Sequence, residues 1–195
     1  MGRRRSALTQ DLGHTGLDET FGIIQEDFLA EWRDTDRKVE QITEMLSNSP
    51  AVGALRLAIE LSIGDSEWQF TDEAGEDAPR LQLLSDAWDS MSHSWNDHIQ
   101  EMCLMPFYGW SMFSIVYRRD GGRLLWRKFK MLGHDTVFRW IFEDDGGLAG
   151  LQQKPHLWPD PIPIDRMLLY RFRKTKGSPE GESILRPAWP PWYYV

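Results

Sequence analysis

Met112-Phe113-Ser114-Ile115-Val116-Tyr117-Arg118-Arg119-Asp120-Gly121-Gly122-Arg123-Leu124-Leu125-Trp126-Arg127-Lys128-Phe129-Lys130-Met131 is the stretch that decides the fold. Its side chains vary with a period of two on either side of Asp120-Gly121-Gly122, which predicts strands over Met112 to Arg119 and Arg123 to Met131. Adjacent glycines supply the positive φ angles of a tight hairpin, so the two strands should pair antiparallel. Strand-like runs continue at Val137 to Phe142, Leu148 to Gln152 and Met167 to Arg173, with Asp144-Asp145-Gly146-Gly147 as a second turn.

Upstream of Gly109 the spacing is helical. Ile24, Phe28 and Trp32 are followed by Val39, Ile42, Met45 and Leu46, and Asp34 or Thr35 can cap the second group. At Ser49-Pro50 a serine able to accept from a free amide precedes a proline that has none to lose. Val52, Leu55, Ile59 and Ile63 then form a stripe that Gly64 ends. Glu67 to Thr71 alternates as a short strand would, and Asp72 to Pro79 reads as an acidic surface loop. Helical spacing returns at Leu81, Leu84, Trp88 and Met91, and again after Ser94 at Trp95, Ile99, Met102 and Cys103, until Pro106 and Gly109 close it. The expected fold is α+β, with N-terminal helices packed on a mainly antiparallel β meander. Its expected divisions are a flexible arm at 1–22, a mainly helical part at 23–109, a β-rich part at 110–176 and a linker at 177–195.

A length of 195 residues with 41% hydrophobic content suits one or two small globular domains and excludes collagen-like or wholly disordered chains. One cysteine, Cys103, makes no internal disulfide, and with five scattered histidines it makes no four-ligand Cys/His zinc set. No secretory apolar core follows Met1 to Ser6, and no 18 apolar residues run together, so the chain is expected to be intracellular with no membrane partner. The net charge of -8 is unevenly spread. Residues 1–110 hold 8 Lys and Arg against 21 Asp and Glu, a net -13, while residues 111–195 hold 14 against 9, a net +5.

Reactive constellations are few. Asp89, His93, Asp97 and Glu101 lie four apart and would share one helical face, but a break at Ser92 to Ser94 spoils the register and a solvated face shows the same pattern. His98 precedes Cys103 by five residues, the wrong side of a helix for a thiolate–base pair, and Cys103 falls on the apolar stripe of an inert buried thiol. A glycine-rich phosphate loop, a G-x-S-x-G elbow and an H-E-x-x-H pair are all missing, so no enzyme activity, metal or cofactor is expected. On the strands, Arg171 and Arg173 point away from Leu168, Tyr170 and Phe172, and join Lys128, Lys130 and Arg139 as a candidate basic face. With Trp126 and Trp140 interleaved, that face would suit a single-strand nucleic-acid platform. An ordinary solvated sheet face fits equally, and so does a head-to-tail contact between the basic half of one copy and the acidic half of the next.

Of the ten tryptophans, those at 68, 88, 95 and 140 are expected in the core. Trp189, Trp192, Tyr193 and Tyr194 crowd a terminal segment where polar residues are usual, which marks them as candidate contacts with another subunit or chain segment.

The order of several short motifs resembles tailed-bacteriophage portal proteins of the Mu-like and related prophage kind. They are Glu26-Asp27-Phe28-Leu29, Met45-Leu46-Ser47-Asn48-Ser49-Pro50-Ala51-Val52, Glu67-Trp68, Tyr108-Gly109-Trp110-Ser111 ahead of Ile115-Val116-Tyr117, and Pro161-Ile162-Pro163-Ile164-Asp165. Gly177-Ser178-Pro179-Glu180-Gly181-Glu182-Ser183-Ile184-Leu185-Arg186 ahead of Trp189 and Trp192 is the most specific of them. The resemblance, from about residue 23 onward, implies a subunit of a dodecameric ring at one capsid vertex. Through such a ring the terminase motor pumps double-stranded DNA, which later leaves by the same route, and capsid and tail proteins attach to it. It also implies a virion location, reached from the host cytoplasm, and a role without an active site. Residues 23–176 would be the outer wing and the aromatic segment the lead-in to a stem helix, making the chain a truncated form that lacks stem, clip, tunnel loops and crown.

Overall fold

A computed structural model describes residues 15–26, 29–71 and 79–194. Phe28, most of the expected arm and nearly all of the expected acidic loop lie outside these residues. In chain order the elements are β1 (Glu19–Thr20), β2 (Ile23–Ile24), α1 (Thr35–Asn48), α2 (Pro50–Gly64), α3 (Pro79–Asp89), α4 (Trp95–Met102), α5 (Met105–Tyr108), β3 (Trp110–Asp120), β4 (Arg123–Met131), β5 (Val137–Phe142), β6 (Leu148–Gln153), β7 (Ile162–Pro163), β8 (Met167–Arg171) and α6 (Trp189–Tyr193).

The fold is α+β and its strands pair antiparallel. Gly121 and Gly122 have φ of 54° and 83°, and β3 and β4 pair outward from Asp120 opposite Arg123. The strands divide into two three-stranded sheets, ordered β4-β3-β8 and β5-β6-β7, because β8 returns to the far edge of β3. Between Val116 and Tyr117 the β3–β4 register shifts, and the carbonyl of Arg127 turns outward to accept from Ser92 N at 2.8 Å. That bond sews the α3–α4 turn to the sheet.

Helix starts follow local chemistry. Asp34 accepts from Arg37 N at 2.9 Å ahead of α1, and Ser94 and Asp97 form a reciprocal capping box ahead of α4. Ser49 differs from expectation: it makes no side-chain cap, and instead its N–H closes α1 on Met45 O while its carbonyl opens α2. In α2 only Val52 is buried; Ile59 and Ile63 pack on the core at its edge, and Leu55 faces solvent.

The first four residues of β3, Trp110 to Phe113, are all buried, because cores press on both faces of that end of the sheet. Phe113 and Phe129 face Ile99, Met102 and Cys103 of α4. Trp110, Met112 and Met167 face the larger core, which gathers Val39, Ile42 and Met45 of α1, Phe107 of α5, and Trp140 and Leu151 of the second sheet. Two expectations are corrected here. Glu67 to Thr71 forms no strand; Trp68 and Phe70 instead meet the edges or faces of Trp95 and Trp88 with ring centroids 5.6 and 5.1 Å apart, and Trp68 is 51% exposed. Residues 19–24, which overlap the end of the expected arm, form the β1–β2 hairpin, and Gly22 O accepts from Trp140 N at 2.8 Å.

Candidate assembly site

Residues 177–189 run across the seam between helices and sheets with little regular structure of their own, so their polar backbone is satisfied by neighbours. Glu182 N donates to Phe172 O at 2.8 Å, Ile184 N to Pro106 O at 2.9 Å and Gly181 N to Gly109 O at 3.2 Å. Gly109 and Gly181 meet backbone to backbone. A Cβ on Gly181 would lie 2.0 Å from Phe172 O and 2.3 Å from Gly109 O, and one on Gly109, whose φ is +94°, would lie 2.5 Å from Gly181 O. The Ser183 hydroxyl donates to Phe107 O and accepts from Leu185 N, and Leu185 sits in the core at 2% exposure.

Glu180 is the polar centre of this segment. Its carboxylate is buried and accepts from Thr35 Oγ1 at 2.6 Å, from Trp140 Nε1 at 3.0 Å and from Lys38 Nζ. Lys38 Nζ also stands 4.6 Å over the Trp110 ring. One carboxylate therefore joins α1, the second sheet and the 177–189 segment. A second tie is the two-pronged bond of Arg186 to Glu26, at 3.1 and 2.9 Å, which holds the guanidinium pKa above its ordinary value. Both ion pairs line a cleft bounded by residues 17–26, 32–38 and 175–186. Beneath it His134 stacks on Tyr108 at 3.8 Å and donates from Nε2 to Trp110 O at 2.7 Å; burial pushes its pKa down to about 4, so it is neutral at pH 7.

The structure separates the four terminal aromatics. Trp189 is 1% exposed, belongs to the larger core and donates from Nε1 to Gln41 Oε1 of α1 at 3.0 Å, so its contacts are with its own chain. Trp192 packs against that core at its edge. Tyr193 and Tyr194 remain outside at 52% and 77% exposure, with Tyr193 stacked on Trp189 at 4.6 Å.

The five basic residues are not brought together. Lys128 and Lys130 sit opposite Val116 and Ser114, and Arg171 opposite Trp110, on one face of the first sheet, but buried Met112 and its half-buried partner Leu169 lie between them. Ser114 and Trp110 are four residues apart, roughly 13 Å along the strand. Arg139 is on the other sheet and donates to Gln152 Oε1 at 2.9 Å; Arg173, past the end of β8, lies against Phe172. The interleaved tryptophans are elsewhere too. Trp140 is 2% exposed in the core, and Trp126 packs on Phe129 on the opposite face from the lysines.

Asp89 ends α3 while Asp97 and Glu101 are on α4, so those residues and His93 share no helix; Asp97 serves the capping box. No cluster of three or more His, Cys, Asp or Glu with metal-binding geometry occurs among the described residues. Cys103 is 1% exposed and burial pushes its thiol pKa up. His98, fully buried beside Phe113, lies 3.1 Å from the Tyr170 hydroxyl, and burial, then the charge of His93, hold its pKa at about 4. None of the described helices is long and apolar enough to cross a membrane.

Sequence reasoning passed over Lys38 and Gln41 and gave Thr35 only a capping role, whereas α1 presents all three to the segment. The signal available was the density of Gly, Ser and Pro around one acidic residue in Gly177 to Ser183, more than a plain linker requires.

Paired charges and backbone bonds lock this segment to α1 and to the second sheet, and exposed tyrosines follow it. The family described as the portal protein of Mu bacteriophage matches residues 39–195, and the chain belongs to that family. It is therefore a phage structural protein of virion assembly. Among curated proteins, none matches the chain.

Proposed function

We propose that the chain forms the wing part of a portal ring at one capsid vertex, surrounding the channel for double-stranded DNA during packaging and ejection, and that its role is structural, without catalysis. Family membership supports the reading, and the observation that carries it is the 177–194 stretch, which is fixed to both layers through Glu180 and Trp189 and ends at exposed Tyr193 and Tyr194. The partners of such a ring are further copies of the chain, the capsid, tail proteins and the terminase, at the virion vertex after assembly in host cytoplasm. The dispersal of Lys128, Lys130, Arg139, Arg171 and Arg173 gives the single-strand nucleic-acid platform no support.

The test is immunogold labelling of particles assembled in cells that express an epitope-tagged form of the chain. A single labelled vertex per particle is expected. Label spread over all vertices, or particles without label, overturns the reading.

A further inference from the structure

The charge asymmetry of the chain has a local origin. Residues 111–131 hold six basic residues against Asp120 alone, while residues 132–195 hold eight of each sign, so the whole +5 of the second half lies on the β3–β4 hairpin. The six are Arg118, Arg119, Arg123, Arg127, Lys128 and Lys130. On a chain of net charge -8, such a concentration marks a surface for an anion.

The strand register places these cations together. β8 pairs with β3 only from Trp110 to Ser114, so beyond Ser114 the hairpin is a two-stranded ribbon that extends roughly 20 Å past the three-stranded part of its sheet. Lys130 and Lys128 stand opposite Ser114 and Val116, and Arg118, two residues on from Val116, continues the same face in steps of about 6.8 Å. Arg127 is the extra residue of the bulge beside Lys128, and Arg119 is on the reverse face next to the turn. Internal pairing takes two of the six. Arg123 bonds to Asp86 of α3 at 2.5 Å, and Arg118 stands 3.9 Å from Asp120. Arg119, Arg127 and Lys130 are exposed and Lys128 is half-buried, and none of these four has an ion pair or side-chain hydrogen bond among the described residues. Charges on a bare strand edge also block edge-to-edge pairing, a role that needs no ligand.

The chemistry of the ribbon selects the anion. A single strand is held by bases stacked on exposed rings, whereas the half-buried rings of the ribbon, Tyr117 and Trp126, stand opposite each other on the face away from the lysines. A protein interface has an apolar, aromatic-rich centre depleted of lysine, and Leu124, at 59% exposure, is the one large apolar side chain the ribbon leaves exposed. Cations without a stacking ring or an apolar centre suit a phosphodiester backbone recognised by charge, and a duplex offers one negative charge per about 1.7 Å of its axis.

We infer that the β3–β4 hairpin holds duplex DNA by its phosphates, without sequence preference. This contact goes beyond the ring reading, which gives no residue of the chain a place on DNA, and either can fail while the other stands.

Fluorescence anisotropy of a labelled mixed-sequence duplex of about 30 base pairs, titrated with the unaltered chain from about 50 to 200 mM salt, tests it. With the four unpaired cations engaged, Kd should be about 10–100 μM at the lowest salt, and log K should fall against log salt with a slope of about -3.6. The triple variant Arg127→Gln, Lys128→Gln and Lys130→Gln should bind about tenfold or more weakly at the lowest salt, with a slope shallower by about 2.7. Arg173→Gln with Lys174→Gln, exposed and off the hairpin, should bind as the unaltered chain does. Circular dichroism and the unfolding midpoint of the triple variant should match the unaltered chain; if they do not, Arg119→Gln with Arg127→Gln replaces it, with an expected slope change of about 1.8. No duplex binding by the unaltered chain at the lowest salt overturns the inference, and aggregation of the triple variant alongside that result assigns the charges to edge protection. Equal binding by the triple variant, or equal loss in the Arg173 and Lys174 variant, removes the hairpin from the contact. A single strand of the same length bound as tightly overturns the choice of duplex, and displacement of the duplex by polyglutamate at equal charge overturns it in favour of an acidic protein surface. Single-vertex labelling remains the separate test of the ring reading.

Discussion

Replacing Glu180 with Gln removes one charge from a site where three donors converge. Gln keeps the volume and one acceptor oxygen for Thr35 Oγ1 and Trp140 Nε1, but its amide group is turned on the Lys38 ammonium, whose side chain is only 14% exposed. Removing one member of a buried pair costs about 3–5 kcal/mol, because the remaining charge has lost its counterpart without regaining water. Lys38 retains some solvent and the Trp110 face, so the lower end applies, about 3 kcal/mol. For a chain of this length that is a fall of roughly 6–12 °C in Tm. Urea unfolding followed by tryptophan fluorescence and far-UV circular dichroism measures it. Lys38→Met should cost a similar amount, and the double variant should recover all but about 1 kcal/mol, giving a coupling energy of several kcal/mol. Glu180→Gln within about 0.5 kcal/mol of the unaltered chain, or strictly additive singles, would refute the central role given to this carboxylate.

Gly181→Ala should destabilise by about 3 kcal/mol or more, since its Cβ meets two backbone carbonyls, whereas Gly177→Ala, with open space but φ of +73°, should cost about 1–2 kcal/mol; equal urea midpoints would contradict the contact. His98 and His134 have folded pKa values of about 4 against 6.5 unfolded, so the unfolded chain binds more protons between those limits. Their stabilisation, about 3 kcal/mol each, is complete above pH 6.5 and lost as pH falls toward 4, at up to about 2.7 kcal/mol per pH unit for the pair. His98→Leu should roughly halve that slope, and an unchanged slope would count against it. Cys103 should react with a thiol reagent only at the rate of unfolding; rapid modification of the native chain would contradict its burial.

Where local chemistry alone decides the conformation, the sequence was legible. Gly121-Gly122 makes the hairpin it implies, Ser94 caps α4, and Cys103 lies inward on the apolar stripe. Pairings across long separations were not legible. The return of β8 to β3 splits the strands into two sheets, and nothing in the alternation of Met167 to Arg171 names its neighbour. Two-sided burial at Trp110 to Phe113 erases the alternation where it would have been most useful. The aromatic segment marks itself as a contact without naming its partner, because Trp189 bonds to Gln41 on α1, 148 residues away. Glu180 reads locally as a surface turn residue, between Pro179 and Gly181; its partners are 145, 142 and 40 residues away.

The bond from Trp189 to Gln41 has a mechanical meaning. α6 begins at a residue anchored in α1, so the exposed tyrosines ride on a mount with no slack beneath it. A pull applied at Tyr193 would bear on Trp189 stacked beside it and, through the bond to Gln41, on the first helix, which Glu180 in turn ties to the second sheet. Load arriving at that corner would reach three elements that are far apart in sequence.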